Sequence, residues 1–445
     1  MITLKEYMKN QPILNIGMIG HVANGKSSIV KKLTGKATQA FSSEKERNIT
    51  IQLGYANAKI YKCDLCTAPK CYTSTPSNIY EINCEYCDSK MELIIHVSFV
   101  DSPGHHLLTS TMLSGTSVMD YTILVESITN PIIPSSQTVE HLIATNMVGL
   151  DNGIVCLNKV DLAPNRKKIT KTIEELKSFI TNYNINNNII PISPIFDINI
   201  DILCEYISKL EIKNKNIDEN PTLICIRSFD INKPNLIKNS KNIKGGIIGG
   251  SLLKGKLNVG DDIIIYPGYV DKEQKNTINI KNNNNREYFD WKYYPIKTKI
   301  LSINSEDIKL NSIIPGGLVG VQLDIDPGLT RNNKLVGNMI FLNNRDNNFK
   351  VCDKLKVSID KVFQNIDENI ELKLYKGDTI KINIYSNETK GFIIKYSKTE
   401  NYISIILDKP VVVNKDETKV IISNYQTNKI LAICSILDIR ICNII

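Results

Sequence analysis

Gly20-His21-Val22-Ala23-Asn24-Gly25-Lys26-Ser27 fits the pattern G-x-x-x-x-G-K-[ST] of a phosphate-binding loop. Leu14–Ile19 before it reads as a buried strand, and Ser28–Leu33 after it opens a helix, which is the setting such a loop needs. Glycines let the backbone fold tightly, so successive N–H groups face phosphate oxygens, and the helix N-terminus adds a favourable dipole. Lys26 reaches the β- and γ-phosphates, and the Ser27 hydroxyl suits Mg2+. Gly20, Asn24, Gly25, Lys26, Ser27 and Ser28 are therefore candidate nucleotide-binding residues.

The motifs downstream name the nucleotide. Asp101-Ser102-Pro103-Gly104-His105 ends a hydrophobic strand, Leu93–Asp101. An aspartate there holds Mg2+ through water, the Gly104 N–H faces the γ-phosphate, and His105 is placed to orient an attacking water. Asn158-Lys159-Val160-Asp161 ends another strand, Gly153–Asn158. The Asp161 carboxylate accepts from N1–H and N2–H2 of guanine, a pair of donors that adenine lacks. Lys159 packs over the base, and Asn158 ties this loop to the phosphate loop. In Glu46-Arg47-Asn48-Ile49-Thr50, Thr50 is a candidate ligand of Mg2+ and the γ-phosphate. A loop of this kind orders with GTP and relaxes after hydrolysis. Lys26, Thr50 and His105 are the expected catalytic set, with GTP or GDP and Mg2+ as cofactors.

Cys63-x2-Cys66 and Cys84-x2-Cys87 are two C-x-x-C pairs separated by 17 residues, the spacing of a zinc knuckle. Four thiolates close the coordination sphere, so the site is expected to be structural, clamping an insertion over 61–90 between two sheet strands. Cys71 lies inside the insertion and is a less favoured ligand. With 11 cysteines and no apolar signal core in Met1–Gln11, the chain reads as one for a reducing compartment, here the cytoplasm. No apolar run reaches membrane-spanning length, so no membrane association is expected. The net charge of +8 is mild and suits a polyanionic partner such as RNA.

At 445 residues the chain is long enough for about three domains of ~150 residues. Up to residue 212, strand and helix patterns alternate: Tyr121–Glu126, Ser136–Val148, Arg166–Asn182 and Ile189–Ser193 follow the segments already named. This predicts an α/β domain with a mostly parallel sheet. Lys213–Asn220 reads as a linker. From Pro221 onward short β-rich runs (Thr222–Ser228, Ile263–Tyr266, Leu318–Gln322) alternate with Gly, Pro and Asn turns, which predicts β-barrels over 213–335 and 336–445. Asp271–Arg286 reads as a polar, mobile loop.

The order of these motifs resembles that of translational GTPases. The cysteine insertion and the run Glu46–Lys59 narrow the likeness to the gamma subunit of eukaryotic and archaeal translation initiation factor 2. Arg227-Ser228-Phe229-Asp230-Ile231-Asn232-Lys233-Pro234, Lys244-Gly245-Gly246, Val259-Gly260-Asp261 and Pro315-Gly316-Gly317-Leu318 continue it. The resemblance implies a GTP-dependent carrier of methionyl initiator tRNA to the small ribosomal subunit, working with alpha and beta subunits. GTPase-activating and nucleotide-exchange partner proteins are also implied. The methionyl end is expected to dock between the GTP-binding domain and the first barrel, with Tyr55 reporting the nucleotide state to it. Two departures stand out. His106 follows His105 where the family often has an acidic residue. Ser193-Pro194 replaces a Ser-Ala whose second N–H meets guanine O6, so proline removes that donor and a weaker guanine contact is expected. The alternatives are an elongation-type or selenocysteine-type tRNA carrier, or a GTP-binding scaffold without hydrolysis.

Overall fold

The computed structural model describes residues 3–38, 53–103, 109–147, 149–150, 153–181, 188–212, 216–232, 243–279, 285–362 and 374–445. They form two compact units, Met1–Asn216 with Asn304–Val319, and Ile217–Ile303 with Gly320–Ile445.

The first unit is an α/β domain. Its strands are β1 (Leu14–Ile19), β2 (Gly54–Lys62), β3 (Tyr72–Pro76), β4 (Glu92–Asp101), β5 (Tyr121–Ser127), β6 (Ile154–Asn158) and β7 (Ile189–Pro191). Its helices are α1 (Leu4–Asn10), α2 (Lys26–Thr34), α3 (Thr109–Thr116), α4 (Ser136–Met147), α5 (Arg166–Ile180) and α6 (Ile200–Ser208). The sheet runs β3-β2-β4-β1-β5-β6-β7. β4, β1, β5, β6 and β7 pair in parallel, while β2 joins β4 and β3 antiparallel at one edge. Every residue of β1, β5 and β6 is buried, as in largely apolar strands covered on both faces. The parallel order brings the C-terminal ends of β1, β4, β5 and β6 to one edge, and the loops there carry the motifs.

Asn304–Val319 packs into this unit although it lies far downstream of residue 212. Gln11 is 1% exposed, and its Nε2 donates to the carbonyls of Ile314 (2.6 Å) and Gly316 (2.8 Å). Spacing along the chain gives no hint of this amide clamp, because its partners are backbone atoms about three hundred residues away.

The second unit is built from strands. Asp262–Asn279, Met339–Leu342, Thr222–Phe229, Ile247–Lys254, Val319–Leu323 and Asn285–Ser305 follow one another in a single sheet, and the first and last of these six also pair, wrapping it on itself. Six further strands, between Phe349 and Ile441, form a closed barrel around Leu355, Val357, Ile382, Ile405 and Ile422. Met339–Leu342 lies past the expected boundary at 335/336, yet it pairs with Thr222–Ile224 and Ile263–Tyr266. An apolar strand does not declare in its own sequence which of two neighbouring sheets will take it.

The reading of Asp271–Arg286 as a mobile loop is corrected. Asp271–Asn279 and Asn285–Tyr293 are opposed strands of one antiparallel ribbon, with Asp271 opposite Lys292 and Lys275 opposite Phe289. Lysine and asparagine suppress the strand signal, but cross-strand pairs such as Lys272 Nζ over the Phe289 ring (3.9 Å) stabilise the ribbon.

Candidate functional site

The phosphate loop leaves β1 and turns into α2, and it is held from several sides. Asn24 is fully buried: its Nδ2 donates to the Val125 carbonyl (2.8 Å), its carbonyl accepts from Asn158 Nδ2 (2.8 Å), and its Oδ1 accepts from Asn130 Nδ2 (3.0 Å). Gly25 has φ of 93°, and a Cβ there would lie 2.2 Å from Asn158 Nδ2, so only glycine lets the two loops meet. Ala23, with φ of 60°, sits in the left-handed region without being glycine. Such a residue persists only where its surroundings over-determine it. The Gly20 N–H donates to Nδ1 of the buried His141 on α4 (3.2 Å). Asn130, Glu126 and His141 were not found by the sequence reading. They come from the end of β5, the irregular stretch after it and α4, and no motif spacing marks them.

Lys26 is 5% exposed, and its Nζ donates to the carbonyls of Gly20 (2.8 Å) and His21 (2.9 Å). Burial lowers its pKa to about 8, against the opposing pull of Asp101 and Glu126. Phosphates bind the ammonium form, so the pKa in the nucleotide complex lies above this free-state value. Affinity is therefore complete below about pH 8 and falls above it, by up to about tenfold per pH unit, with a proton taken up on binding. GDP titrations in buffers of differing ionisation enthalpy check this. Constant affinity with no proton uptake between about pH 7 and about pH 9 contradicts it.

Ser27 Oγ donates to Asp101 Oδ2 (2.6 Å), and Thr38 Oγ1 donates to the same oxygen (2.5 Å). The serine oxygen and the carboxylate thus stand side by side, which suits a Mg2+ that the Ser27 hydroxyl would bind directly and Asp101 through water. Thr38 was missed by the sequence reading. Thr50, Gly104 and His105 lie outside the described residues.

At the base end, Asn158 Oδ1 accepts from the Lys159 N–H (2.8 Å), and Lys159 takes a left-handed φ of 60°. Asp161 follows in the short turn Val160–Leu162. Val160 N donates to Ile192 O (3.4 Å), which brings this loop beside Ser193. Ser193 is 1% exposed, and its Oγ has no partner among the described residues. Ser193 and Ile198 exchange backbone bonds (3.2 and 3.0 Å), closing the loop that carries Pro194. Asn24, Lys26 and Ser27 thus meet Asp101 at one end and Asn158 at the other. Ser28 stands beside them on the first turn of α2.

The Sγ atoms of Cys63, Cys66, Cys84 and Cys87 all lie within 4.8 Å of one another, and the Cys63–Cys87 and Cys66–Cys84 pairs are 3.5 and 3.6 Å apart. A tetrahedral Zn2+ with Zn–S near 2.3 Å sets thiolates ~3.8 Å apart, so these residues fit zinc. Cys71 is buried beside the group and is not one of its four members. The insertion carrying the cysteines connects β2 to β4 through β3.

A family profile described as the elongation factor Tu GTP binding domain matches residues 11–213. The chain is 37% identical to the eukaryotic translation initiation factor 2 subunit gamma of Encephalitozoon cuniculi, over 90% of this chain and 87% of that one. It is 39% identical to the Schizosaccharomyces pombe subunit gamma, over 87% of this chain and 85% of that one. It is 34% identical to the translation initiation factor 2 subunit gamma of Sulfurisphaera tokodaii, over 93% and 94%. Among solved structures, a bacterial selenocysteine-specific elongation factor matches 96% of this chain with a TM-score of 0.68 at 19% identity. The chain spans 58% of that structure's length. A Methanococcus maripaludis elongation factor with a GTP analogue gives 0.65 at 18% identity, over 97% of this chain and 80% of that one. Likeness at such identity speaks for the fold alone. With its nucleotide loops in this order and its similarity running nearly end to end, the chain belongs to the gamma-subunit family of eukaryotic and archaeal translation initiation factor 2, and is a translational GTPase.

Proposed function

We propose that this protein carries methionyl initiator tRNA to the small ribosomal subunit in its GTP-bound state, and that hydrolysis to GDP releases it. The observation that carries this reading is the similarity to initiation factor 2 gamma subunits over about 90% of the chain, beyond the GTP-binding domain alone. Lys26 would neutralise the β- and γ-phosphates, and Ser27 and Thr50, with Asp101 through water, would hold Mg2+, which would screen the charge that develops on the phosphates. Gly104 donates to the γ-phosphate, and His105 orients the attacking water. Asp161 and Ser193 read guanine, with Lys159 over the base and Pro194 weakening one contact. Zinc on Cys63, Cys66, Cys84 and Cys87 holds the insertion together and takes no part in the chemistry. The domains are read as a GTP-binding domain over 1–212, a first barrel over 213–335 and a second barrel over 336–445, with Met339–Leu342 pairing into the sheet of the first barrel. Alpha and beta subunits, a GTPase-activating protein and an exchange factor are the expected protein partners, in the cytoplasm. No helix among the described residues is long and apolar enough to cross a membrane.

The test is binding of initiator against elongator Met-tRNA to the chain loaded with GTP analogue or GDP, with the partner subunits supplied. Preference for the initiator form, dependent on the GTP analogue, is expected. Equal binding of both tRNAs points to the elongation-type carrier. No binding in either state points to a scaffold.

A further inference from the structure

Glu306 stands at the tip of a tight turn, Ser305-Glu306-Asp307, within the segment that packs into the first unit. Its φ is +49°, a left-handed conformation that glycine or asparagine adopts more cheaply. Its side chain is only 17% exposed, and it bonds to two stretches of the GTP-binding domain. Oε2 meets Lys36 Nζ at 2.7 Å, and Oε1 accepts from the Asn57 backbone N–H at 2.8 Å. Asp307 Oδ2 adds a second contact to Lys36 at 3.0 Å, and Ser305 Oγ lies 3.2 Å from Asn57 Nδ2.

These contacts have a local cause. β3 ends at Pro76, opposite Ala58 on β2. Asn57, one residue earlier and 2% exposed, pairs with Ser98 of β4 but has no strand on its β3 side, and there Glu306 supplies the acceptor for its N–H. Lys36 follows directly on Gly35, which caps α2 with a φ of 70°. Lys36 and Asn57 stand on either side of residues 39–52, the stretch that carries Thr50. Thr38 and Gly54 bring the same two flanks together beside Asp101, where a Cβ on Gly54 would lie 2.7 Å from Thr38 Cβ.

We propose that Glu306 is a positioning residue for nucleotide discrimination: it fixes Lys36 and Asn57 against each other and thereby sets where the chain enters and leaves the Thr50 stretch. The inference rests on the proposed role of Thr50 as a ligand of Mg2+ and the γ-phosphate. GTP uses that ligand and GDP does not, so a loosened anchor costs affinity for GTP alone. Glu306 touches neither nucleotide nor metal, and its effect passes through the two residues it holds.

The experiment measures affinity for GDP and for a non-hydrolysable GTP analogue on the full chain carrying Glu306→Ala, Glu306→Gln or Lys36→Met, with thermal melting as a check on folding. Glu306→Ala is expected to weaken the GTP analogue about tenfold, the scale of one lost charge-assisted contact, and to leave GDP within about twofold. Glu306→Gln, which keeps an acceptor for Asn57, is expected to fall between. Lys36→Met removes the ion pair from the other side and keeps the ratio readable should Glu306→Ala fail to fold. Parallel weakening of both nucleotides, or an unchanged ratio in folded variants, overturns the proposal. Thr50→Ala separates the two levels. If it leaves the ratio unchanged, the reading of Thr50 fails and takes this inference with it. If it collapses the ratio while the Glu306 and Lys36 variants keep theirs, the anchor alone is refuted.

Discussion

Asp161→Asn is expected to lower GTP affinity about a thousandfold while raising affinity for xanthosine triphosphate. The carboxylate presents two acceptors to the N1–H and N2–H2 donors of guanine. An asparagine amide presents one acceptor and one donor, so one contact is lost and a donor is turned toward a donor. Charge-assisted bonds contribute about 1.5–3 kcal/mol each, and losing one, taking the charge from the other and setting donor against donor corresponds to roughly a thousandfold. Xanthine keeps N1–H and carries an acceptor oxygen where guanine has its amino group, so the amide matches it. The turn Val160–Leu162 is fixed by its own backbone, and the Asn158 bond to Asn24 does not involve Asp161, so the loop is expected to keep its shape. Competition titrations of GTP and xanthosine triphosphate against bound fluorescent GDP test this. A substituted protein that still prefers GTP removes Asp161 from base recognition.

Cys84→Ser is expected to abolish stoichiometric zinc and to expose the insertion over 61–90 to proteases. The thiols are crowded: Cys63 Sγ and Cys87 Sγ lie 3.5 Å apart, and Cys66 Sγ lies 3.6 Å from Cys87. As thiolates they repel one another, and a divalent cation removes that repulsion. Among the described residues, the buried apolar cluster around the group is small, with Tyr61 and Met91 its members besides cysteines, too few to replace a metal. Structural zinc contributes about 10–16 kcal/mol of apparent binding free energy in small motifs, which there is folding free energy. β2 and β4 stay paired from Gly54 to Lys62, so the sheet is expected to outlast its insertion. Metal analysis and limited proteolysis check both parts, and full zinc content in the variant would remove Cys84 from the ligand set.

The first unit was legible because its signals are local. A phosphate loop needs glycines at fixed offsets between a strand and a helix, and β1, the loop and α2 stand where those offsets place them. β4, β5 and β6 were readable for a similar reason, since a strand covered on both faces is mostly apolar, as Ile123–Val125 and Ile154–Leu157 are. The ribbon was not readable. Its strands are polar and asparagine-rich, and they form because Asp262–Asn279 finds Asn285–Ser305 opposite, a pairing that composition does not announce.

The sequence by itself determined the nucleotide chemistry. The groups expected to act on phosphates, backbone N–H groups, one lysine, a serine and an aspartate, work at short range, and the expected guanine contact needs one carboxylate at a strand end. Each fits within a few residues of chain. Only the tertiary structure decided what holds those groups still. Asn130 reaching Asn24, Thr38 sharing the Asp101 oxygen, Gln11 gripping Ile314 and Gly316, and Glu306 bridging Lys36 and Asn57 are contacts between distant parts of the chain. A buried polar group must find a partner wherever the fold brings one, and that meeting exists only after the sheet has been assembled.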